Sequence, residues 1–278
     1  MSTVASRLRL WAAGALVVVA VLAAYSNSYH SAFHFDDSHV LEGNLYVRNL
    51  ANAGRFFLDA STFSAEPKNA TYRPLVTLSL AIDYRLGRGL DPVAYHVSQL
   101  VQLLLLGALL WWFYARVLGQ GAPTTLHWGL ALCAAALFTL HTTATETMNL
   151  MHARSEILSA MGIVGAFLVY IGLPTWRRTY LYLVPMVLGA LAKDPAVIFA
   201  PMLAVYIWLF EEQLPVSALF STKGWPALRR TVWRTLPALV IGAAVFVGVE
   251  SMNADRSEEH TSELQSLAYL VCRLLLEK

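Results

Sequence analysis

Apolar residues in this chain gather in long runs separated by short polar segments, without the alternation of strands or the narrow stripe of surface helices. Seven runs stand out: Leu10–Tyr25, Val93–Leu118, Leu126–Leu140, Ile157–Leu173, Leu181–Ala192, Ala196–Phe210 and Leu236–Val249. A helix needs about 20 mostly apolar residues to cross a bilayer core. The pattern therefore predicts an all-α polytopic membrane protein with about seven spans. Several runs are short, which predicts tilted or partly re-entrant helices. The fifth and sixth nearly abut at Lys193-Asp194-Pro195, and a long polar loop, residues 26–92, separates the first two.

Composition narrows the class. Of 278 residues, 57% are hydrophobic and 14% charged. Soluble domains carry about 25% charge, so a soluble enzyme, a disordered chain and a nucleic-acid binder are all excluded. Cys133 and Cys272 are too few for a disulfide framework or a cysteine metal site. The net charge of +2 implies no polyanionic partner. The positions of the charges carry more. Arg7 and Arg9 precede the first run, Arg116 ends the second, Arg177-Arg178 follow the fourth, and Lys223, Arg229, Arg230 and Arg234 precede the seventh. Basic residues favour the cytoplasmic side, and seven crossings from a cytoplasmic N-terminus put all four groups there. Residues 26–92, 141–156 and the turn at Lys193-Asp194 then face outward. The expected setting is a bacterial inner membrane with these segments in the periplasm, or the endoplasmic reticulum membrane in a eukaryote. A cleavable signal peptide is the alternative reading of the first run. The sequon Asn69-Ala70-Thr71 informs only a eukaryotic host.

The character of the chain changes after Val249. Arg256–Ser266 reads RSEEHTSELQS, which resembles a translated sequencing adapter, and continues into LAYLVCRLLLEK. The expected division is a membrane region over 1–250 and a polar tail over 251–278 foreign to the fold, with the gene product truncated at or before Asp255. An ordinary charged amphipathic helix is the alternative for the tail.

Candidate chemistry lies in the outward segments. Phe33-His34-Phe35-Asp36-Asp37 follows the first run. Two adjacent carboxylates can divide the work, one taking a proton from a hydroxyl while the other orients it or binds a metal. They also suit the N-cap of a short helix, Ser38–Glu42. Arg73 and Arg154 suit phosphate, which a guanidinium grips with two parallel bonds. Lys193 between two apolar runs needs a partner, either Asp194 or an anionic ligand. His141 and Glu146 are placed for a local hydrogen bond or a metal. His96, Gln99 and Gln102 share a helical face suited to interhelical hydrogen bonds.

The order of these elements resembles the GT-C superfamily of polyprenyl-phosphate-sugar-dependent glycosyltransferases, most of all the transmembrane and tetratricopeptide-repeat O-mannosyltransferase-like proteins. Asp36-Asp37 matches the acidic pair of the first outer loop and Tyr72-Arg73-Pro74-Leu75 the YRPL element. His141, Glu146 and Arg154-Ser155-Glu156 match a His-Pro…Glu…Arg-Ser-Asp pattern, and Lys193-Asp194-Pro195 a Lys-Glu-Pro. Thr142 stands for the proline, Glu156 and Asp194 change carboxylate length, and no 34-residue repeat period is visible. The resemblance implies a helical bundle with a large first outer loop. It also implies transfer of a sugar, mannose or another, from a polyprenyl-phosphate donor to an acceptor hydroxyl on a protein or glycan. Asp36 is then the general base, with Asp37 supporting it or binding Mg or Mn. Arg73, Arg154 and Lys193 hold the donor phosphate, and His141, Glu146, Glu156 and Asp194 shape the acceptor side. A transporter or a non-catalytic membrane scaffold is the rival class.

Overall fold

The computed structural model describes residues 3–120 and 125–253. Of the expected foreign tail, residues 251–278, only 251–253 fall among the described residues. Those residues form helices and turns with no strand. The α-helices are α1 (Thr3–Ala24), α2 (Ala53–Phe56), α3 (Pro74–Leu86), α4 (Pro92–Leu118), α5 (Thr125–Thr139), α6 (Ala144–Asn149), α7 (Arg154–Gly172), α8 (Leu183–Ala190), α9 (Phe199–Tyr206) and α10 (Trp225–Met252). This is an all-α polytopic membrane architecture.

Five helical stretches are long and apolar enough to cross a bilayer: Ala5–Ala24, Pro92–Leu118, Met151–Gly172, Asp194–Glu211 and Trp225–Met252. The other two expected spans are shorter, Leu126–Thr139 and the eight-residue α8. Eight residues rise only about 12 Å against a hydrocarbon core of about 30 Å. Local chemistry explains where α8 stops. Tyr180 adopts a left-handed φ of 57° before it, and Lys193 is extended (φ −162°, ψ 140°) after it. Pro195 has no N–H with which to continue the α8 ladder and suits the start of a new helix, and the chain restarts through a 3₁₀ turn, Asp194–Ile198, into α9.

Within the bundle α4 contributes Leu103, Leu106 and Leu110 to a core with Val21 of α1, Ala135 of α5 and Val164 of α7. Phe167 and Tyr170 of α7 join Met186, Phe199, Leu203 and Ala238 in a second core. Lipid tails are as apolar as leucine, so helices in a membrane associate through close packing rather than hydrophobic exclusion. The α7–α8 crossing shows this directly: a Cβ on Gly162 would stand 2.5 Å from the Cα of Gly189.

The long first loop has a core of its own. Val40, Leu41, Val47, Phe56 and Phe63 pack on Val76 and Leu80 of α3 and on Tyr95 of α4. Each such burial contributes roughly 1.5–3 kcal/mol. Asn44 donates to the carbonyls of Thr62 (3.0 Å) and Phe63 (3.1 Å), which fixes the loop on itself. His96 and Gln99 of α4 reach carbonyls around α6, at Met148 and Thr147, while Gln102 bonds Ser98 on its own helix. Asn253, after α10, accepts from the Tyr72 N–H at 2.8 Å. At the opposite end of the bundle Arg177 and Arg234 both pair with Glu211 (2.8 and 2.7 Å) and Arg230 with Glu212.

Candidate functional site

The acidic pair enters the structure as two residues pointing in opposite directions. Phe35 holds a left-handed φ of 50°, a conformation that costs a bulky residue of order 1–3 kcal/mol and clusters at functional sites. The turn that follows leaves the Asp36 side chain 59% exposed and the Asp37 side chain fully buried. Asp37 accepts from the Met151 N–H (3.0 Å) and the His152 N–H (3.1 Å). It therefore fastens the first loop to the 3₁₀ turn Met151–Ala153 that leads into α7. The segment Ser38–Glu42 is one π-helical turn, and neither carboxylate caps it; the backbone carbonyl of Asp36 takes the Val40 N–H at 2.9 Å.

Asp36 lies on the wall of a cavity of about 540 Å³ at the outer-loop end of the bundle. Arg73, Glu146, Glu156 and Lys193 share that wall with it, so five of the residues singled out from the sequence converge. Arg73 sits at the N-cap of α3, where Pro74 occupies the first helical position, and its guanidinium lies 5.5 Å from the Phe63 ring centre. Lys193 is carried in by the break between α8 and α9. Its ammonium pairs with Glu156 of α7 rather than with neighbouring Asp194. The cavity thus offers an exposed carboxylate, two cations and two further carboxylates.

Four of the expected site residues do not line the cavity. Arg154, expected to hold a phosphate, is fully buried and bound to Asp83 at 2.6 Å, and it also donates to the Met151 carbonyl. Asp37, expected to support the reaction or bind a metal, has both oxygens taken by backbone N–H donors. Among the described residues no three metal-ligating side chains converge. His141 bonds Thr143 (2.8 Å) rather than Glu146 and does not line the cavity. Asp194 begins the 3₁₀ turn and also stands outside the lining.

Three residues were missed by sequence reasoning. His152 stands between the acidic pair, with Nδ1 3.4 Å from Asp37 and Nε2 3.5 Å from Asp36. His39 is 3.6 Å from the other Asp36 oxygen and bonds Ser64 through Nδ1 at 3.0 Å. Asp83 neutralises Arg154. The adjacency of Asp36 and His39 at i and i+3 was available as a signal; the other two contacts join distant segments.

The chain is similar to several curated proteins. Protein O-mannosyl-transferase TMTC4 of Mus musculus is 28% identical over 158 residues, 54% of this chain and 21% of the relative. The Homo sapiens TMTC4 is 27% identical over 169 residues, 58% of this chain and 23% of the relative. Protein O-mannosyl-transferase Tmtc3 of Drosophila melanogaster is 29% identical over 171 residues, 55% of this chain and 18% of the relative. The chain spans about a fifth of the length of these relatives. No family model and no solved structure matches it. The chain is thus a sequence relative of the TMTC-type protein O-mannosyl-transferases, the relationship its acidic pair, YRPL element and Lys-Asp-Pro turn imply.

Proposed function

We propose that this chain is the membrane part of a glycosyltransferase that moves a sugar, mannose by analogy with its relatives, from a polyprenyl-phosphate donor to an acceptor hydroxyl, on protein by the same analogy. The cavity faces away from the cytoplasm, into the periplasm of a bacterium or the lumen of the endoplasmic reticulum. The observation that carries this reading is the placement of an exposed carboxylate, Asp36, in one cavity with Lys193 and Arg73. In the reaction the bond between the sugar anomeric carbon and the donor phosphate oxygen breaks while the acceptor oxygen bonds that carbon. The acceptor proton passes to Asp36. Charge grows on the departing phosphate, where fixed cations stabilise it most. Lys193 and Arg73 are the cations on the cavity wall. Apolar spans keep the donor's lipid tail in the bilayer while its headgroup enters the cavity.

The test is sugar transfer from a polyprenyl-phosphate sugar in membranes carrying the chain, normalised to inserted protein. Asp36→Asn keeps shape but cannot take the proton, and general-base contributions run to about 10²–10⁴-fold. Near-normal transfer by that variant removes Asp36 as the base.

A further inference from the structure

We propose that His152 is a positioning residue for Asp36, an imidazole that couples the exposed carboxylate to the buried one. The inference rests on the transfer reading above for its consequence in catalysis, and on geometry alone for the coupling itself.

Asp37 is the fixed end. It is buried, and the Met151 and His152 N–H groups hold its carboxylate in place. An ionised carboxylate can only accept hydrogen bonds, so the His152 nitrogen facing it at 3.4 Å, Nδ1, carries a proton. That assignment turns Nε2 toward Asp36, 3.5 Å away. The ring thus bridges the two carboxyl groups and limits where the Asp36 side chain can point. Without the ring, a side chain as exposed as Asp36 is free to turn into water.

His39 sits on the other side of Asp36 and has a different role. Ser64 Oγ donates to the Glu66 carbonyl, so it accepts from His39 Nδ1. His39 Nε2 then accepts from Asn69 Nδ2 at 3.3 Å. This histidine is fixed by neutral partners and borders Asp36 without bonding it. Glu146, Glu156 and Lys193 line the cavity beyond, Glu156 and Lys193 bound to each other, and Arg154 is bound to Asp83. Asp36 and Asp37 are thus the anions that face the His152 ring from the first loop.

Two substitutions separate coupling from a purely structural role. His152→Asn can reproduce the Nδ1 contact to Asp37 but is too short to reach Asp36. His152→Gln can place an amide near the Nε2 position. Coupling predicts that His152→Asn lowers kcat by about 10- to 100-fold, below the full worth of the base itself, with the KM for the lipid donor unchanged. His152→Gln should retain more activity, because its amide still reaches Asp36. A second readout does not require turnover: the rate of His152 modification by diethyl pyrocarbonate at fixed pH, read by mass spectrometry in intact membranes. Nε2 faces Asp36 at 3.5 Å, so Asp36→Ala should uncover that nitrogen and raise the modification rate several-fold. An unchanged rate, or a normal kcat in His152→Asn, overturns the coupling. If the rate rises while Asp36→Asn still transfers sugar, the coupling stands and the proposed function fails.

Discussion

Arg154 and Asp83 meet at 2.6 Å with side chains 0% and 4% exposed, joining the start of α7 to α3 of the outer loop. Removing one partner of a buried ion pair strands the other and typically costs 3–5 kcal/mol. Asp83→Ala should therefore lower the amount of folded protein recovered from membranes and its melting temperature in detergent. Asp83→Leu with Arg154→Met should recover most of that loss, because the pair would be replaced by apolar side chains of similar volume. Loss of donor affinity without loss of stability in Arg154→Met would return Arg154 to the phosphate site.

The acidic pair should separate into two phenotypes. Asp36→Asn is expected to leave abundance and protease resistance unchanged, since its carboxylate reaches into the cavity. Asp37→Ala leaves two backbone N–H groups without their partner, each costing about 1–3 kcal/mol if buried. Its effect should appear as reduced folded protein, with loss of activity following that reduction. Equal abundance for the two variants would contradict the buried anchoring of Asp37.

Lys193 and Glu156 make opposite predictions. If Lys193 receives the donor phosphate, that phosphate must displace Glu156. Lys193→Met should weaken binding of a polyprenyl phosphate by roughly 10- to 100-fold, the worth of a charged hydrogen bond of about 1.5–3 kcal/mol. Glu156→Gln should leave binding unchanged or tighten it. Weakening of the same size in both variants, measured by competition in membranes, would instead mean that the pair is a strut.

Gly162 tests the α7–α8 crossing. Gly162→Ala puts a methyl group 2.5 Å from the Gly189 Cα and 2.7 Å from the Pro185 carbonyl oxygen. Overpacking of this kind costs about 1–3 kcal/mol. Gly165→Ala meets only the Pro185 side chain at 3.3 Å, and Gly129→Ala meets nothing within 4 Å. Thermal stability should fall in the order Gly129, Gly165, Gly162 for the three alanine variants. Equal melting temperatures would show that the helices can part at no cost.

Much of the fold was legible because length and apolarity of a span are local properties of the chain. The runs from Val93, Ile157 and Ala196 appear as helices near their expected bounds. Convergence of Asp36, Arg73, Glu146, Glu156 and Lys193 was legible for a related reason: positive residues sort the loops, and these five stand in segments sorted to one side. Residues within a turn are another matter. Asp36 and Asp37 look equivalent in one dimension, and the left-handed Phe35 sends one outward and the other in. Arg154 looked like a phosphate ligand because Asp83, its partner, is 71 positions away in a loop that showed no helical signal. The shortness of α8 depends on the extended backbone at Lys193, which a hydropathy run does not record.

The early end of α8 also sets a depth. Ser159 lies five residues below the start of α7, and its hydroxyl bonds the carbonyl of Lys193 at 3.3 Å. At 1.5 Å per residue, the backbone of the Lys193 turn is recessed about 8 Å beneath the top of that helix, while Asp36 stands at the level of His152 near the brim. The Lys193 ammonium nonetheless pairs with Glu156 in the first turn of α7. The length of the lysine side chain thus carries its charge back up toward the brim, and a shorter cation at position 193 would leave that charge sunk beneath it.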